Sequence, residues 1–133
     1  MNSPHNEMKL IIPKGCDNAP RKQIVIDFTL AILKQQTEII KEYADESVIW
    51  YQLKDSKKVE GQSSLINILQ DENKDIIDCL EIYQVITHGK FASINGVILL
   101  TDGTKIDFCD VYMFSNTARS GKVKEIKSYR LKP

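Results

Sequence analysis

Apolar residues recur at intervals of three and four in the first half of the chain and at intervals of two in the second half. Asn18 and Pro20 open a predicted helix, because asparagine caps helices well and proline suits their first positions. The chain then predicts a second helix at about residues 37–43 and a third after a cap at Ser63 or Ser64. The apolar face of the first helix comprises Ile24, Val25, Phe28, Ala31 and Ile32.

The segment VIWYQL, which begins at Val48, is β-branched and aromatic and predicts a strand. From Cys79 the alternation predicts four more strands, joined by turns at Gly89-Lys90 and Asp102-Gly103 and by a longer loop. Their expected ranges are about 79–88, 91–101, 104–115 and 123–131. The order of elements predicts one α+β domain over residues 20–133, preceded by an N-terminal arm over residues 1–19.

Two-residue turns in both hairpins fix the expected strand register. The second turn places Asp110 opposite Asn95, and the first turn places Gln84 opposite the same Asn95. Side chains alternate between the faces of a strand, so these three residues should form a polar row on one face of the sheet. Ser128 of the last strand extends this row if a bulge near Lys124 corrects the phase of that strand.

The segment FCDVYMF places the carboxylate of Asp110 within a strand that is otherwise apolar. A lone carboxylate in an apolar wall costs several kcal/mol unless it is paired, hydrogen-bonded or protonated. In one interpretation Asn95, Gln84 and Arg130 satisfy Asp110 within a closed core. In the other, which four polar residues favour, the row lines an open cavity and meets a ligand.

Composition excludes several classes of function. Formal net charge is zero, which argues against binding to nucleic acid or to a membrane surface through bulk charge. No apolar run approaches the roughly 20 residues that span a bilayer, and we expect a cytoplasmic protein. The three cysteines are far apart and form no C-x-x-C pair: Cys16, Cys79 and Cys109.

The sequence contains no nucleotide-binding glycine motif and no H-x-x-x-H pair, and its only histidines are His5 and His88. We therefore expect a site without a cofactor and without a metal. The predicted sheet is apolar on both faces, with Ala92, Ile94 and Ile98 opposite the polar row. An apolar outer face needs a cover, and a second copy of the chain is the expected one.

Five segments resemble the nuclear transport factor 2-like superfamily, with its ketosteroid isomerase and SnoaL-like polyketide cyclase branches. In order, they are YADESVIW, VEGQSSLINIL, THGKFASING, DGTKIDFCDVYMF and GKVKEIKSY, between Tyr43 and Tyr129. The resemblance implies a cone-shaped fold in which three N-terminal helices pack on a curved, mostly antiparallel sheet. It also implies a pocket inside the cone, dimers formed through the outer sheet face, and closeness to uncharacterised bacterial members.

Within this resemblance, Asp110 falls at the position of the isomerase acid that donates a hydrogen bond from an apolar site. The other isomerase roles do not transfer, since the general base falls at Trp50 or Tyr51 and the oxyanion tyrosine at Asp27. We predict a domain that binds a modest, largely apolar molecule. The predicted ligand-binding residues are Phe28, Trp50, Gln84, His88, Asn95, Asp110, Tyr112 and Ser128.

Two alternatives remain open. In the first, the protein is a cofactor-free isomerase, cyclase or lyase in which Asp110 acts as general acid or base. In the second, it is a dimeric protein-interaction module whose outer sheet docks a partner.

Overall fold

The described residues form three α-helices and a seven-stranded sheet. The computed structural model describes residues 8–14, 19–71 and 76–132. The helices are α1 (Pro20–Lys34), α2 (Thr37–Tyr43) and α3 (Gln62–Asp71). The strands are β1 (Lys9–Ile11), β2 (Ala44–Gln52), β3 (Lys57–Glu60), β4 (Ile77–His88), β5 (Phe91–Leu100), β6 (Lys105–Phe114) and β7 (Val123–Leu131), and one turn of 3-10 helix covers Leu53–Asp55. None of the helices in these ranges is long and apolar enough to cross a membrane.

The α+β class is confirmed, and the prediction of three N-terminal helices is confirmed in part. Pro20 is the first residue of α1, as expected, whereas the predicted cap Asn18 lies outside the described residues. In the described part of the chain, α1 and α2 lie between β1 and β2, whereas α3 follows β2 and β3, so the three helices are not consecutive. α3 begins at Gln62, slightly before the predicted serine cap, and the Gln62 side chain donates a hydrogen bond to the Ala44 carbonyl.

The strand order is β1-β4-β5-β6-β7-β2-β3, which gives a curled sheet that is not closed. Two neighbouring pairs, β1 with β4 and β2 with β7, are parallel, and the others are antiparallel. Strand β1 belongs to the predicted N-terminal arm, which therefore contributes an edge strand to the sheet. The helices cover one face of the sheet and enclose an apolar core that includes Phe28, Ile40, Leu65, Ile94 and Tyr112.

The predicted register holds in the first hairpin and is wrong in the second. Gln84 pairs with Asn95 as expected, but Asn95 then pairs with Cys109, and Asp110 pairs with Ile94. The Leu100 N–H donates to the Thr104 carbonyl at 2.9 Å, so these two residues face each other and close a loop of three residues, 101–103, rather than two. Asp102 stabilises this loop by accepting the Thr104 N–H at 2.9 Å.

This slip of one residue exchanges the faces of β5, because successive side chains of a strand alternate. The helix-facing side of β5 carries Ala92, Ile94 and Ile98, which the sequence assigned to the outer face. Gln84 and Asn95 therefore lie on the outer face, away from Asp110. The expected polar row of Gln84, Asn95 and Asp110 is wrong.

A bulge in β4 returns the residues on its N-terminal side to the face of the sheet that the sequence predicted for them. The β4 register shifts between Ile82 and Gln84, which leaves Tyr83 as the extra residue. Leu80 and Ile82 consequently point into the core, as predicted. The bulge predicted near Lys124 is also present, since Met113 pairs with Glu125 and Phe114 with Val123.

Candidate functional site

A cavity of about 170 Å³ opens between the end of α1 and the neighbouring strands β2 and β7. Strands β2 and β7 run parallel with Gln52 opposite Ser128, so their inward side chains meet at the same level. The short 3-10 helix after β2 forms part of the opening. The cavity is lined by Ile32, Leu33, Trp50, Gln52, Lys54, Asp55, Ser128 and Arg130.

Trp50 and Ser128 form the buried floor of this cavity. The Trp50 indole donates its Nε1 hydrogen to the Ser128 hydroxyl oxygen at 2.9 Å, and both residues are almost fully buried. The indole has no acceptor atom, so this bond uses its whole hydrogen-bonding capacity. The bond fixes the tryptophan ring in the floor of the cavity.

Arg130 lies beside this floor and pairs with Asp110. Its Nη1 is 2.6 Å from Oδ1 of Asp110, and its Nη2 is 3.5 Å from Oδ2. Nη1 also donates to the Tyr129 carbonyl at 3.1 Å, and the guanidinium lies 5.5 Å from the centre of the Phe108 ring. Of the partners named in the closed-core interpretation, Arg130 does contact Asp110, whereas Asn95 and Gln84 lie on the other face of the sheet.

The two partners of this ion pair differ in depth. The Asp110 side chain is 1% exposed and that of Arg130 is 19% exposed. Asp110 is absent from the lining of the cavity, whereas Arg130 contributes to it. The carboxylate therefore stands behind the guanidinium and holds it in place, and the guanidinium is the group that an occupant of the cavity would meet.

Tyr112 and Phe28, both expected at the site, are fully buried in the core. Their rings meet edge to face at 5.9 Å, and the Tyr112 hydroxyl is 2.7 Å from the Thr29 hydroxyl. Burial strongly raises the pKa of the Tyr112 phenol, and the negative charge of Asp110 raises it further. Tyr112 thus remains a neutral phenol whose contacts are structural.

The remaining predicted site residues lie on the outer face of the sheet. Gln84 and Asn95 line a shallow hollow of about 420 Å³ together with Tyr83, Cys109 and Tyr129. His88 is exposed at the end of β4 beside the turn. Burial raises the pKa of the Cys109 thiol, and the charge of Asp110 raises it further, so this cysteine is a weak nucleophile.

Sequence reasoning placed Trp50, Ser128 and Arg130 on the inner face but missed the other lining residues. Gln52 could have been found, because it alternates with Val48 and Trp50 along β2. Lys54 and Asp55 lie in a single turn of 3-10 helix, for which the sequence has no periodic signal. Among the described residues, no three His, Cys, Asp or Glu side chains come together as metal ligands would.

Comparison with solved structures identifies the fold. A protein of Shewanella denitrificans OS-217, named for SnoaL-like polyketide cyclases, has a TM-score of 0.71 and 14% sequence identity, and the match covers 86% of this chain and 92% of its own. A nuclear transport factor 2-like protein of unknown function from Burkholderia xenovorans LB400 has a TM-score of 0.70 and 13% sequence identity, and the match covers 90% of this chain and 88% of its own. A protein of Kribbella flavida DSM 17836, named for ketosteroid isomerase, has a TM-score of 0.70 and 11% sequence identity, and the match covers 89% of this chain and 82% of its own.

No protein-family model and no curated protein matches the sequence. The resemblance to nuclear transport factor 2-like proteins is confirmed at the level of the fold by these structural neighbours. Such low identities carry no statement about substrate or activity.

Proposed function

We propose that the protein binds a small, largely apolar molecule in the cavity between α1, β2 and β7. The observation that carries this proposal is an open cavity with apolar walls, and beside its floor lies an arginine that is fixed by a buried carboxylate. Binding sites of small molecules are concave, mostly apolar and equipped with a few well-placed polar groups. Ile32 and Leu33 supply apolar walls, Trp50 supplies an apolar floor, and Ser128 and Arg130 supply the polar groups.

The size of the cavity limits the ligand. Its volume of about 170 Å³ is close to the ~150 Å³ of an engineered cavity that holds one benzene ring. The occupant is therefore a single ring or a short branched chain, and any larger part of it projects through the opening. This agrees with the modest ligand expected from the sequence.

A binding function is favoured over a catalytic one in which Asp110 acts as general acid or base. A general acid or base must approach the substrate to about 2.6–3.2 Å, directly or through one water molecule. Asp110 is 1% exposed and its Oδ1 is engaged by Arg130 at 2.6 Å. A molecule in the cavity would touch the guanidinium and not the carboxylate, so Asp110 acts by positioning Arg130.

Filling the cavity tests this proposal. Leu33 lines the cavity, and Leu33→Phe should occupy its space and abolish binding. The chain has one tryptophan, Trp50, so its fluorescence reports directly on the cavity floor. With 2-phenylethanol and phenylacetate as probes, we expect saturable changes in the wild type with Kd values on the order of 1 mM.

Leu30→Phe is the matched control, since Leu30 is also half-buried on α1 but does not line the cavity. This variant should bind both probes as the wild type does. Absence of saturable binding in the folded wild type, or unchanged binding in Leu33→Phe, contradicts the proposal.

We also propose that a second copy of the chain covers the outer face of the sheet. The observation that favours this is a group of exposed apolar side chains on that face: Tyr83, Ile86, Phe91, Val111, Tyr129 and Leu131. Large apolar patches on soluble proteins mark interaction sites, and self-association through a two-fold axis is the commonest arrangement.

A charge placed in this patch should separate the two copies. Ile86 is 55% exposed on the outer face, and Ile86→Glu is expected to convert a dimer of twice 15.2 kDa into a monomer. Ile76, 49% exposed and just before β4, provides the control variant Ile76→Glu, which should stay dimeric. Light scattering after gel filtration measures the mass, and a monomeric wild type at about 50 μM would rule out a dimer of ordinary interface strength.

A further inference from the structure

We infer that the polar group of the ligand is a carboxylate, so that the site selects small apolar carboxylic acids. This inference depends on the proposed binding function and adds the chemical class of the ligand. It derives from the direction of the hydrogen bonds at the floor of the cavity.

Ser128 offers a hydrogen to the cavity. Its hydroxyl oxygen accepts the Trp50 Nε1 hydrogen, which leaves the hydroxyl's own hydrogen to be donated. Within the part of the chain that the structure describes, no acceptor receives that hydrogen. Ser128 is 4% exposed and lines the cavity, so an occupant that accepts a hydrogen bond would satisfy it.

Arg130 offers a second set of donors. Its Nη1 spends both hydrogens on Asp110 Oδ1 and the Tyr129 carbonyl. Nη2 makes only the long contact of 3.5 Å to Asp110 Oδ2, and Nε has no partner among the described residues. Nε and Nη2 form one side of the planar guanidinium, and two parallel N–H groups on such a side match the two oxygens of a carboxylate.

The arrangement of charge also favours an anion at the floor. Asp110 is buried behind Arg130, so the positive end of this ion pair is the one nearer to the cavity. Lys54 and Asp55 at the opening are exposed, of opposite sign and screened by solvent. An ammonium group at the floor would meet the guanidinium and the Ser128 hydrogen, and it could accept neither hydrogen bond.

Four compounds with one phenyl skeleton test the class of the ligand: phenylacetate, phenylacetamide, 2-phenylethanol and 2-phenylethylamine. Titrations followed by Trp50 fluorescence, repeated by amide NMR shifts, give the four Kd values. Phenylacetate should bind at least about tenfold more tightly than 2-phenylethylamine, as expected for one charge-assisted hydrogen bond. Phenylacetamide, which keeps an acceptor but loses the charge, should lie between them.

Two variants assign the preference to Arg130. Arg130→Lys keeps a cation beside Asp110 but removes the planar pair of donors. The binding of phenylacetate should therefore weaken about tenfold, while the binding of 2-phenylethanol should stay unchanged. Asp110→Asn keeps an acceptor for Arg130 and removes the opposing charge, so phenylacetate should bind more tightly. Asp78→Asn, at an exposed residue of β4 outside the cavity, changes the net charge by the same amount and sign as Asp110→Asn and should change no affinity.

The outcomes separate the two proposals. If 2-phenylethanol or 2-phenylethylamine binds the wild type as tightly as phenylacetate does, the carboxylate class is overturned and the binding function stands. An unchanged phenylacetate Kd in Asp110→Asn would also overturn the carboxylate class and leave the binding function standing. This variant does not require that a lysine fit the site. If none of the four compounds binds the folded wild type, the binding function itself fails.

Discussion

Gly96→Ala is expected to destabilise the protein by more than about 4 kcal/mol, the range of exceptional single substitutions. A Cβ at position 96 would lie 1.9 Å from the carbonyl oxygen of Glu81 and 3.0 Å from the Cα of Ile82. These atoms belong to the backbone of β4 and cannot rotate away. The two strands would have to separate at the bulge or shift their register, and urea denaturation measures the loss.

Gly89→Ala provides the comparison. Gly89 lies in the β4–β5 turn with a φ of 59°, and no atom within 4 Å would meet an added Cβ. Its substitution should cost about 1–2 kcal/mol, the price of a left-handed conformation in a residue with a side chain. If Gly96→Ala is no less stable than Gly89→Ala, the close approach of β4 to Gly96 is wrong.

Gly96 was also the signal in the sequence that could have revealed the β4 bulge. A glycine within an alternating strand indicates a bulge or a close backbone approach, and both occur here. The glycine alone does not say which residue of the neighbouring strand is extra. That depends on the register of two hairpins and on how the sheet curls, and the local pattern contains neither.

The register of the second hairpin could not be decided from the sequence, because the turn residues are compatible with two loop lengths. Asp-Gly suits both a two-residue turn and a three-residue loop with glycine at a positive φ, and Gly103 has a φ of 91°. Alternation could not decide between them, because both faces of β5 are largely apolar. One face carries Ala92, Ile94 and Ile98 and the other carries Phe91, Val97 and Leu99.

Local signals did predict the elements whose boundaries are set by their own residues. α2 and β7 have the predicted ranges, and the inward positions of Ser128 and Arg130 follow from alternation along β7. β1 and β3 were missed because they have only three and four residues, too few to establish a period. β1 is defined by its pairing with β4, which lies far away in the sequence. β3 is defined by its pairing with β2, and no hairpin turn motif between these two strands predicts that pairing.

The acid within FCDVYMF is explained by the strand beside it. Asp110 pairs with Ser128, and Arg130 lies two residues further along β7, on the same inner face. The arginine reaches back diagonally across the two strands to the carboxylate. The sequence could suggest this partner, but only the register shows that Arg130, rather than Asn95 or Gln84, is near enough.

Arg130→Met is the second substitution with a large expected effect. It leaves the Asp110 carboxylate 1% exposed and without its ionic partner, whereas methionine retains much of the apolar stem of arginine. Breaking a buried ion pair from one side costs about 3–5 kcal/mol, because the remaining charge is desolvated and uncompensated. Urea denaturation should show this loss as a lower midpoint with an unchanged slope.

The double variant Asp110→Leu/Arg130→Met distinguishes the unpaired charge from the loss of arginine itself. Replacing both partners of a buried ion pair by apolar residues is often neutral or stabilising, so the double variant should regain most of the stability that Arg130→Met loses. The coupling between the two sites, obtained from the double-mutant cycle with Asp110→Leu, should be at least about 2 kcal/mol. Additive effects would contradict this prediction, because they would mean that the 2.6 Å contact contributes no net stability to the fold.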